Sequence, residues 1–176
     1  MNTDNSWQRC VDFHGHSCPG LAIGFKVVEA ARNKLGLKFA KDEELVCVTE
    51  NDACGVDAVQ LLTGCSLGKG NLLYRGRGKM AFTFFKRATG ESLRIVFKRK
   101  MDRSGDREAM QALILASDPD ELFDYKAPGF SLPEGARMFN SVVCEQCAES
   151  AVEQMMRIHE GKTVCLDCFQ EYSRGW

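Results

Sequence analysis

The most concentrated chemistry in this 176-residue sequence is a short run of imidazole and thiol side chains near its beginning. Two of the three histidines, His14 and His16, stand two residues apart and are followed by Cys18. In an extended segment alternate side chains point the same way, so these three could share one face and bind zinc or another borderline transition metal. Cys18 also precedes Pro19, which fits the first turn of a helix, and a helix N-terminus lowers a thiol pKa. Cys18 is therefore also a candidate nucleophile or redox thiol, and the alternative to a metal site is a capping histidine, a packed histidine and a buried cysteine.

A second candidate segment, ENDACGVD at residues 50–57, lies between a predicted strand and a predicted helix. Cys54 would stand at the start of that helix, as a thiol ligand. Asp52 and Asp57 are candidate ligands, bases or helix caps, and capping is the expected role of Asp52.

A third segment, residues 64–78, contains five glycines in fifteen positions and resembles a phosphate-binding loop only superficially. Three residues separate Gly64 from Gly68, and Gly70 stands where Ser or Thr should coordinate magnesium, so the Walker A pattern fails. Lys69 could still hold an anionic group with the backbone amides, or it could be solvated. Cys65 is a further candidate metal ligand.

The last four cysteines form a separate pattern, C-x2-C-x17-C-x2-C, which is the spacing of a zinc site. Four thiolates complete a tetrahedral, closed coordination sphere, and zinc binding would supply folding energy to a segment with few large apolar residues. A redox dithiol pair or incidental cysteines are the alternatives. A predicted hairpin turn at Glu160-Gly161 and a predicted short helix after the third cysteine describe a treble-clef-like finger, whose metal ligands are Cys144, Cys147, Cys165 and Cys168.

Composition narrows the class of protein. Twenty-three basic and 24 acidic residues give a net charge of −1, so no overall field favours nucleic acid or anionic lipid. The first residues lack the pattern of a secretory signal, and no run of 18 apolar residues predicts a membrane span. We expect a cytoplasmic protein, in which nine cysteines indicate metal or thiol chemistry rather than disulfides.

Periodicity predicts an α+β fold, with an antiparallel sheet and packed helices, plus the small treble-clef-like zinc finger. The predicted domains are a core at 1–127, a linker at 128–141 and a four-cysteine module at 142–176. Residues 80–87 and 92–99 predict a β-hairpin. A further strand is predicted at 44–50, and helices are predicted at 7–13, 19–35, 56–62 and 106–117.

Several of these motifs together resemble the FmdE family of formylmethanofuran dehydrogenase proteins. The matching motifs occur in order over roughly residues 10–98, and they are FHGHSCPG, TENDACGVDAVQLLTGCSLGKGNL, GKMAFTFF and TGESLRI. The resemblance implies an α+β core with a metal site and a homodimer, and the cysteine-rich tail is similar to a treble-clef module appended in some members. By motif, His14, His16 and Cys18 match the first family element, Cys54 and Asp57 the second, and Cys65, Lys69 and Asn71 the third.

These observations lead to a hypothesis of a metal-binding protein, accessory to or active in molybdenum- or tungsten-dependent one-carbon or anaerobic redox metabolism. Its core site would hold a second transition metal, expected to be zinc, through His14 or His16, Cys54, and Cys18 or Cys65. Whether the protein is an enzyme stays open; the candidate catalytic residues are Cys18, Asp57 and Lys69.

Two alternative functions are a non-catalytic metal-delivery or docking factor and a zinc-finger regulator that binds nucleic acid. The finger disfavours the second, because from Val142 onward it has three basic residues against five Glu and one Asp. The basic residues of 75–103 alternate through strands and are interpreted as a solvated face. Expected partners are a second copy of the chain, subunits of a molybdenum or tungsten enzyme, and a small or anionic ligand.

Overall fold

The computed structural model describes residues 3–98 and 106–175. The chain divides into two compact units, Met1–Ala136 and Arg137–Trp176, and this division falls within the predicted linker. The helices are α1 Thr3–His14, α2 Pro19–Leu35, α3 Gly55–Thr63, α4 Arg107–Ala116 and α5 Pro119–Leu122. The strands are β1 Leu45–Thr49, β2 Leu72–Tyr74, β3 Ala81–Lys86, β4 Ser92–Phe97, β5 Phe123–Lys126, β6 Ser141–Val143, β7 Ser150–Val152, β8 Met156–His159 and β9 Lys162–Cys165.

Five strands form one sheet in the first unit, in the order β2-β1-β3-β4-β5. The β1–β3, β3–β4 and β4–β5 pairs are antiparallel, whereas β1 and β2 are parallel and are joined by the crossover through α3. The α+β class with a mainly antiparallel sheet and packed helices is thus confirmed. Because side chains alternate along a strand, β1 sends its residues to both faces of the sheet, and all five are buried.

The two faces of the sheet are covered by different parts of the chain. Cys47, Phe84 and Ile95 belong to the main apolar core, which also contains buried residues of α2 and α3. On the other face a smaller cluster is covered by segment 130–132, and it contains Val46, Val48, Phe85, Phe130 and Leu132. This part of the predicted linker therefore packs against the sheet and belongs to the first unit.

Helix α2 begins and ends where its sequence predicts. The Cys18 side chain accepts a hydrogen bond from the backbone N–H of Leu21, and Gly36 ends the helix in the left-handed region with a φ of 60°. In its first half, α2 packs against the start of α3, where Gly24 and Gly55 bring the two backbones together. In the described ranges, no helix combines the length and apolar character that crossing a membrane requires.

Three features of the first unit differ from the predictions. The glycine-rich segment 64–78, for which no strand is predicted, contains the short parallel strand β2, and the predicted core ends with β5, a strand that is also absent from the predictions. Helix α1 extends over Thr3–His14, beyond the predicted 7–13. The predicted hairpin is present as β3 and β4, although Arg99, its predicted last residue, lies outside the described residues.

The second unit consists of two β-hairpins, β6–β7 and β8–β9, each next to a pair of cysteines. The predicted turn at Glu160-Gly161 joins β8 to β9, and both residues have positive φ. The helix predicted after Cys165 is wrong: from there to Gly175 the chain forms turns and irregular backbone. This finger thus differs from a treble clef in its last element.

Candidate metal centres

The four C-terminal cysteines converge on one point, as their spacing predicts. The Sγ atoms of Cys144, Cys147, Cys165 and Cys168 all lie within 4.8 Å of one another. The Sγ atoms of Cys147 and Cys165 are 3.8 Å apart, and a tetrahedral zinc ion with bonds of about 2.3 Å separates its sulfurs by about 3.8 Å. The donor set and its spacing therefore fit a closed, four-coordinate zinc site.

Backbone amides surround one of these sulfurs. The N–H groups of Gln146, Cys147 and Cys165 donate to Cys144 Sγ over 3.4, 3.5 and 3.3 Å. These bonds, that of Cys147 foremost, lower the pKa of Cys144 to about 6. The fold of the finger thus stabilises a thiolate, which is the form that binds a metal.

The candidate core site lies where α1 ends and α2 begins. His14 is the last residue of α1, and Gly15 follows in the left-handed region with a φ of 88°. This turn directs the chain back so that Cys18 becomes the N-cap of α2. The donor atoms of His14, His16 and Cys18 all lie within 4.8 Å of one another. The structure therefore brings together the three residues of the first motif.

Distances within this core group are compatible with one bound ion. His14 Nε2 lies 4.0 Å from Cys18 Sγ. A tetrahedral zinc ion separates such atoms by about 3.5 Å, and about 4.3 Å is the most that its two bonds can span. The centroids of the two imidazole rings are 4.5 Å apart. Cys18 is buried and His16 is exposed, so the group opens to solvent on the side of His16. Two imidazoles and one thiol suit a transition metal with a remaining open position.

The carboxylate of Asp57 contacts the imidazole of His14 on the side away from Cys18. Asp57 Oδ2, in the first turn of α3, lies 2.6 Å from His14 Nδ1. In the neutral imidazole this contact places the proton on Nδ1, and Nε2, the nitrogen that faces Cys18, then carries the lone pair that binds a metal. Asp57 thus orients His14, which is the arrangement that metal-binding histidines use with a carboxylate partner.

Cys54 adjoins this group without being one of the three. Burial, followed by the effect of the neighbouring Cys18 thiol, raises the pKa of Cys54. Gly20 lies beside both sulfurs: a Cβ atom there would stand 3.7 Å from Cys54 Sγ and 3.9 Å from Cys18 Sγ. The second motif therefore contributes a neighbouring thiol and the carboxylate of Asp57.

Cys65 and Lys69 lie elsewhere, which corrects their predicted place in this site. Cys65 is fully buried, its Sγ donates to the carbonyl oxygen of Leu45 over 3.7 Å, and burial raises its pKa to about 11. Lys69 Nζ donates to the carbonyl oxygen of Ala40 over 3.0 Å. Both residues follow α3, whereas Cys54 precedes it, and a nine-residue helix separates its ends by about 14 Å. That separation was already implied by the helix predicted at 56–62.

The third motif has a structural role instead. Asn71 is fully buried and accepts a hydrogen bond from the backbone N–H of Ser66. Its Nδ2 donates to the carbonyl oxygens of Asp42 and Leu45, at 2.9 and 3.0 Å. Asn71 therefore fastens the loop after α3 to the chain that leads into β1.

One buried ion pair was missed by the sequence reasoning. Arg94, interpreted as part of a solvated face, donates from Nε and Nη2 to the two carboxylate oxygens of Glu50, at 2.6 and 2.9 Å. These residues come from separate segments of the chain, so local sequence carried no signal for the pair. Residues 99–103 of that basic region lie outside the described ranges.

Comparisons with known proteins agree with this architecture. A solved FmdE-like protein of the tungsten formylmethanofuran dehydrogenase type, from Syntrophus aciditrophicus, aligns over 94% of this chain and 91% of its own. The TM-score is 0.67 and the sequence identity is 24%. That similarity shows the fold.

A curated relative from Archaeoglobus fulgidus is described as a probable S-adenosyl-L-methionine-binding protein. It is 28% identical over 93% of this chain. The chain spans about half of that relative, 52% of its length.

The family comparison covers the core site. The profile described as "FmdE, Molybdenum formylmethanofuran dehydrogenase operon" matches residues 13–124, a range that includes the first two motifs and most of the five-stranded sheet. Because the match extends over more than half of the sequence, the chain belongs to the FmdE family.

Proposed function

We propose that this protein holds a transition metal, zinc in the first instance, through His14, His16 and Cys18. The observation that carries this proposal is the convergence of their donor atoms within 4.8 Å. It is supported by Asp57 behind His14 and by the burial of Cys18. Three protein ligands leave a fourth coordination position, and a zinc ion held this way supplies Lewis-acid activation of a water or substrate molecule.

The chain's own groups prepare this site. Asp57 keeps the proton of His14 on Nδ1 and so presents Nε2 as a ligand. The backbone N–H of Leu21 donates to Cys18 Sγ over 3.3 Å at the start of α2, and this contact holds the sulfur in place as ligand or nucleophile. Cys54 supplies a second thiol near the first, since both sulfurs lie within 4 Å of the position that a Cβ atom on Gly20 would take.

In the second unit we propose a structural zinc ion on Cys144, Cys147, Cys165 and Cys168. The sulfur spacing and the amide hydrogen bonds to Cys144 support it. Because a closed site of four thiolates offers no position for a substrate, its role is to stabilise the fold of the finger.

In cellular terms we propose an accessory or catalytic component of molybdenum- or tungsten-dependent one-carbon or anaerobic redox metabolism. Family membership supports this, as does the FmdE-like structural neighbour of the tungsten type. We further propose a cytoplasmic homodimer that associates with subunits of such an enzyme. Co-purification of the chain with a molybdenum or tungsten enzyme, and loss of that enzyme's activity when the chain is removed, would test this role.

A metal-delivery factor is the second candidate function. The exposure of His16 favours it, because a ligand in contact with solvent allows the metal to exchange. The two candidates differ in an observable way. Transfer of the core metal to an acceptor without turnover of any substrate supports delivery, and turnover by the isolated, metal-loaded protein supports catalysis.

Metal content tests the core site directly. The purified protein is expected to contain two zinc equivalents per chain, and His14→Ala or His16→Ala should each remove one. His159→Ala, which changes the remaining histidine, is the matched control and should keep both. A single equivalent that the His14 and His16 variants leave unchanged would refute the core site while retaining the finger.

A further inference from the structure

A basic cavity lies at the end of β1, in the first unit. Its volume is about 400 Å³, and its lining includes Arg75, Arg77, Lys79, Arg94, Glu50 and Phe130. Its charged lining residues are therefore four cations and one carboxylate. No residue of the candidate metal centres lines this cavity.

The backbone that carries three of the cations is held in place by the end of β1. The N–H of Arg75 donates to the carbonyl oxygen of Thr49 over 2.8 Å, and the N–H of Arg77 donates to that of Glu50 over 3.1 Å. Asn51 Nδ2 in turn donates to the carbonyl oxygen of Lys79 over 3.0 Å. The backbone of segment 75–79 is thus fastened at several points, which keeps the three cationic side chains on one side of the end of β1.

The positive charge of Arg94, the fourth cation of the cavity, is balanced by an ion pair with Glu50. Both carboxylate oxygens of Glu50 accept from Arg94, and the same contact lowers the pKa of Glu50, so the pair is ionised at neutral pH. Arg94 and Glu50 therefore form a fixed wall of the cavity, and any attraction for an anion must come from the other three side chains.

Those three cations have no acidic partner among the residues of ranges 3–98 and 106–175 whose side chains are described. The ion pairs there involve other residues, and none places a carboxylate within 4 Å of Arg75, Arg77 or Lys79. The guanidinium of Arg75 instead lies 4.4 Å from the centroid of the Phe130 ring, which holds it against one wall. Three uncompensated positive charges around one concave space produce a focused positive potential.

We propose that this cavity binds a small molecule through a phosphate or another multiply charged oxyanion group. Guanidinium groups match the geometry of phosphate oxygens, and a lysine beside them adds a point charge. The volume falls in the range of small-molecule sites. The cations converge on one cavity rather than following a stripe, which favours a compact ligand over a nucleic-acid strand.

Calorimetric titration of the full, zinc-loaded chain with inorganic phosphate and with pyrophosphate tests the proposal. Pyrophosphate should bind more tightly than phosphate, and its affinity should fall as salt increases. Arg77→Gln and Lys79→Gln should each weaken pyrophosphate binding about tenfold. Both residues are exposed, so the variants should keep the thermal midpoint of the parent protein, which is measured alongside.

Two controls keep the result specific. Arg9→Gln removes one exposed positive charge on α1, outside the cavity, and should leave the affinity unchanged. Absence of pyrophosphate binding at millimolar concentration, or equal affinity in the Arg77 and Lys79 variants, would overturn the proposal. Tighter binding of a single-stranded oligonucleotide that depends on the same two residues would also overturn it, in favour of a nucleic-acid surface.

Discussion

A Cβ atom on Gly24 would lie 2.1 Å from the carbonyl oxygen of Gly55, so helices α2 and α3 meet at a point where neither has a side chain. Each of these helices begins at a cysteine of the candidate core region, Cys18 for α2 and Cys54 for α3. The close approach of the two helices is therefore what brings these two thiols near each other, on either side of Gly20.

Gly24→Ala is expected to destabilise the protein by about 3 kcal/mol, although alanine is the better helix former. The steric clash decides the sign, because the opposing atom belongs to backbone and cannot rotate away. Core metal should be lost together with stability, as measured by denaturant unfolding and metal analysis. Gly68→Ala is the matched control, since a Cβ there meets nothing within 4 Å. Equal stability of the two variants would contradict the packing argument.

Asp57→Asn should weaken core metal binding about 10- to 100-fold, because the carboxylate no longer fixes the proton of His14 on Nδ1. Competition with a chelator measures the affinity, and nitrogen NMR of the imidazole reports the tautomer. Asp52→Asn is the matched control: Asp52 is exposed and lies five residues earlier. Binding by the four-cysteine site should not change in either variant. An unchanged tautomer in Asp57→Asn would show that the contact does not orient the ring.

Arg94→Met should destabilise the fold by about 3 kcal/mol, because it leaves the Glu50 carboxylate buried without its partner. The side chains of Arg94 and Glu50 are 14% and 5% exposed. Lys98→Met is the control, since Lys98 and Asp124 form an exposed pair 3.8 Å apart, and such pairs contribute about 0–1 kcal/mol. Urea unfolding compares the two variants. A loss in Arg94→Met no larger than that in the control would contradict the assigned burial of the pair.

The same ion pair predicts how stability changes with acid. Arg94 lowers the pKa of Glu50 below its ordinary value of 4.5. The contribution of Glu50 is therefore fully present above about pH 4.5, and it is lost as the pH falls through the lower pKa of the folded state. Glu50→Gln should show a shallower loss of unfolding free energy in this range than the parent protein. Parallel curves for both proteins would refute the shift.

Thiol labelling separates the buried cysteines from the candidate ligands. Burial raises the pKa values of Cys10 and Cys65 to about 11 and that of Cys47 well above 9.0. In the native, zinc-loaded protein, iodoacetamide at about pH 8, below these raised pKa values, should leave these three unmodified, as read by peptide mass spectrometry. Labelling in denaturant with a chelator should reach all nine and serves as the control. Rapid native labelling of Cys65 would make it an accessible candidate ligand again.

Local sequence signals predicted the elements that carry the core site. Pro19 and Gly36 bound α2, and runs of apolar and β-branched residues predicted β1 and the following hairpin. The cysteine spacing likewise predicted the convergence in the second unit, because two residues between ligands is enough to form one half of a site. These features depend on residues that are close together in sequence, so the periodicity of apolar residues and the spacing of cysteines are enough to predict them.

Features set by distant contacts could not be predicted in the same way. Strand β2 has three residues and exists because it pairs in parallel with β1, which no local pattern signals. Phe130 and Leu132 belong to the predicted linker, yet they cover one face of the sheet. Lys69 matched a family motif, but its ammonium group bonds to the backbone at the far end of α3. The sequence showed that a lysine stands at this position, but it did not show which groups the ammonium contacts.

Strand β2 is an edge of the sheet as described, and an edge exposes backbone groups on which another chain can grow as an added strand, the first step of aggregation. It offers only the three residues Leu72–Tyr74 for such growth. The next five positions hold Arg75, Arg77 and Lys79, whose like charges repel a second copy brought alongside. The residues that line the basic cavity therefore also protect the sheet against uncontrolled self-association.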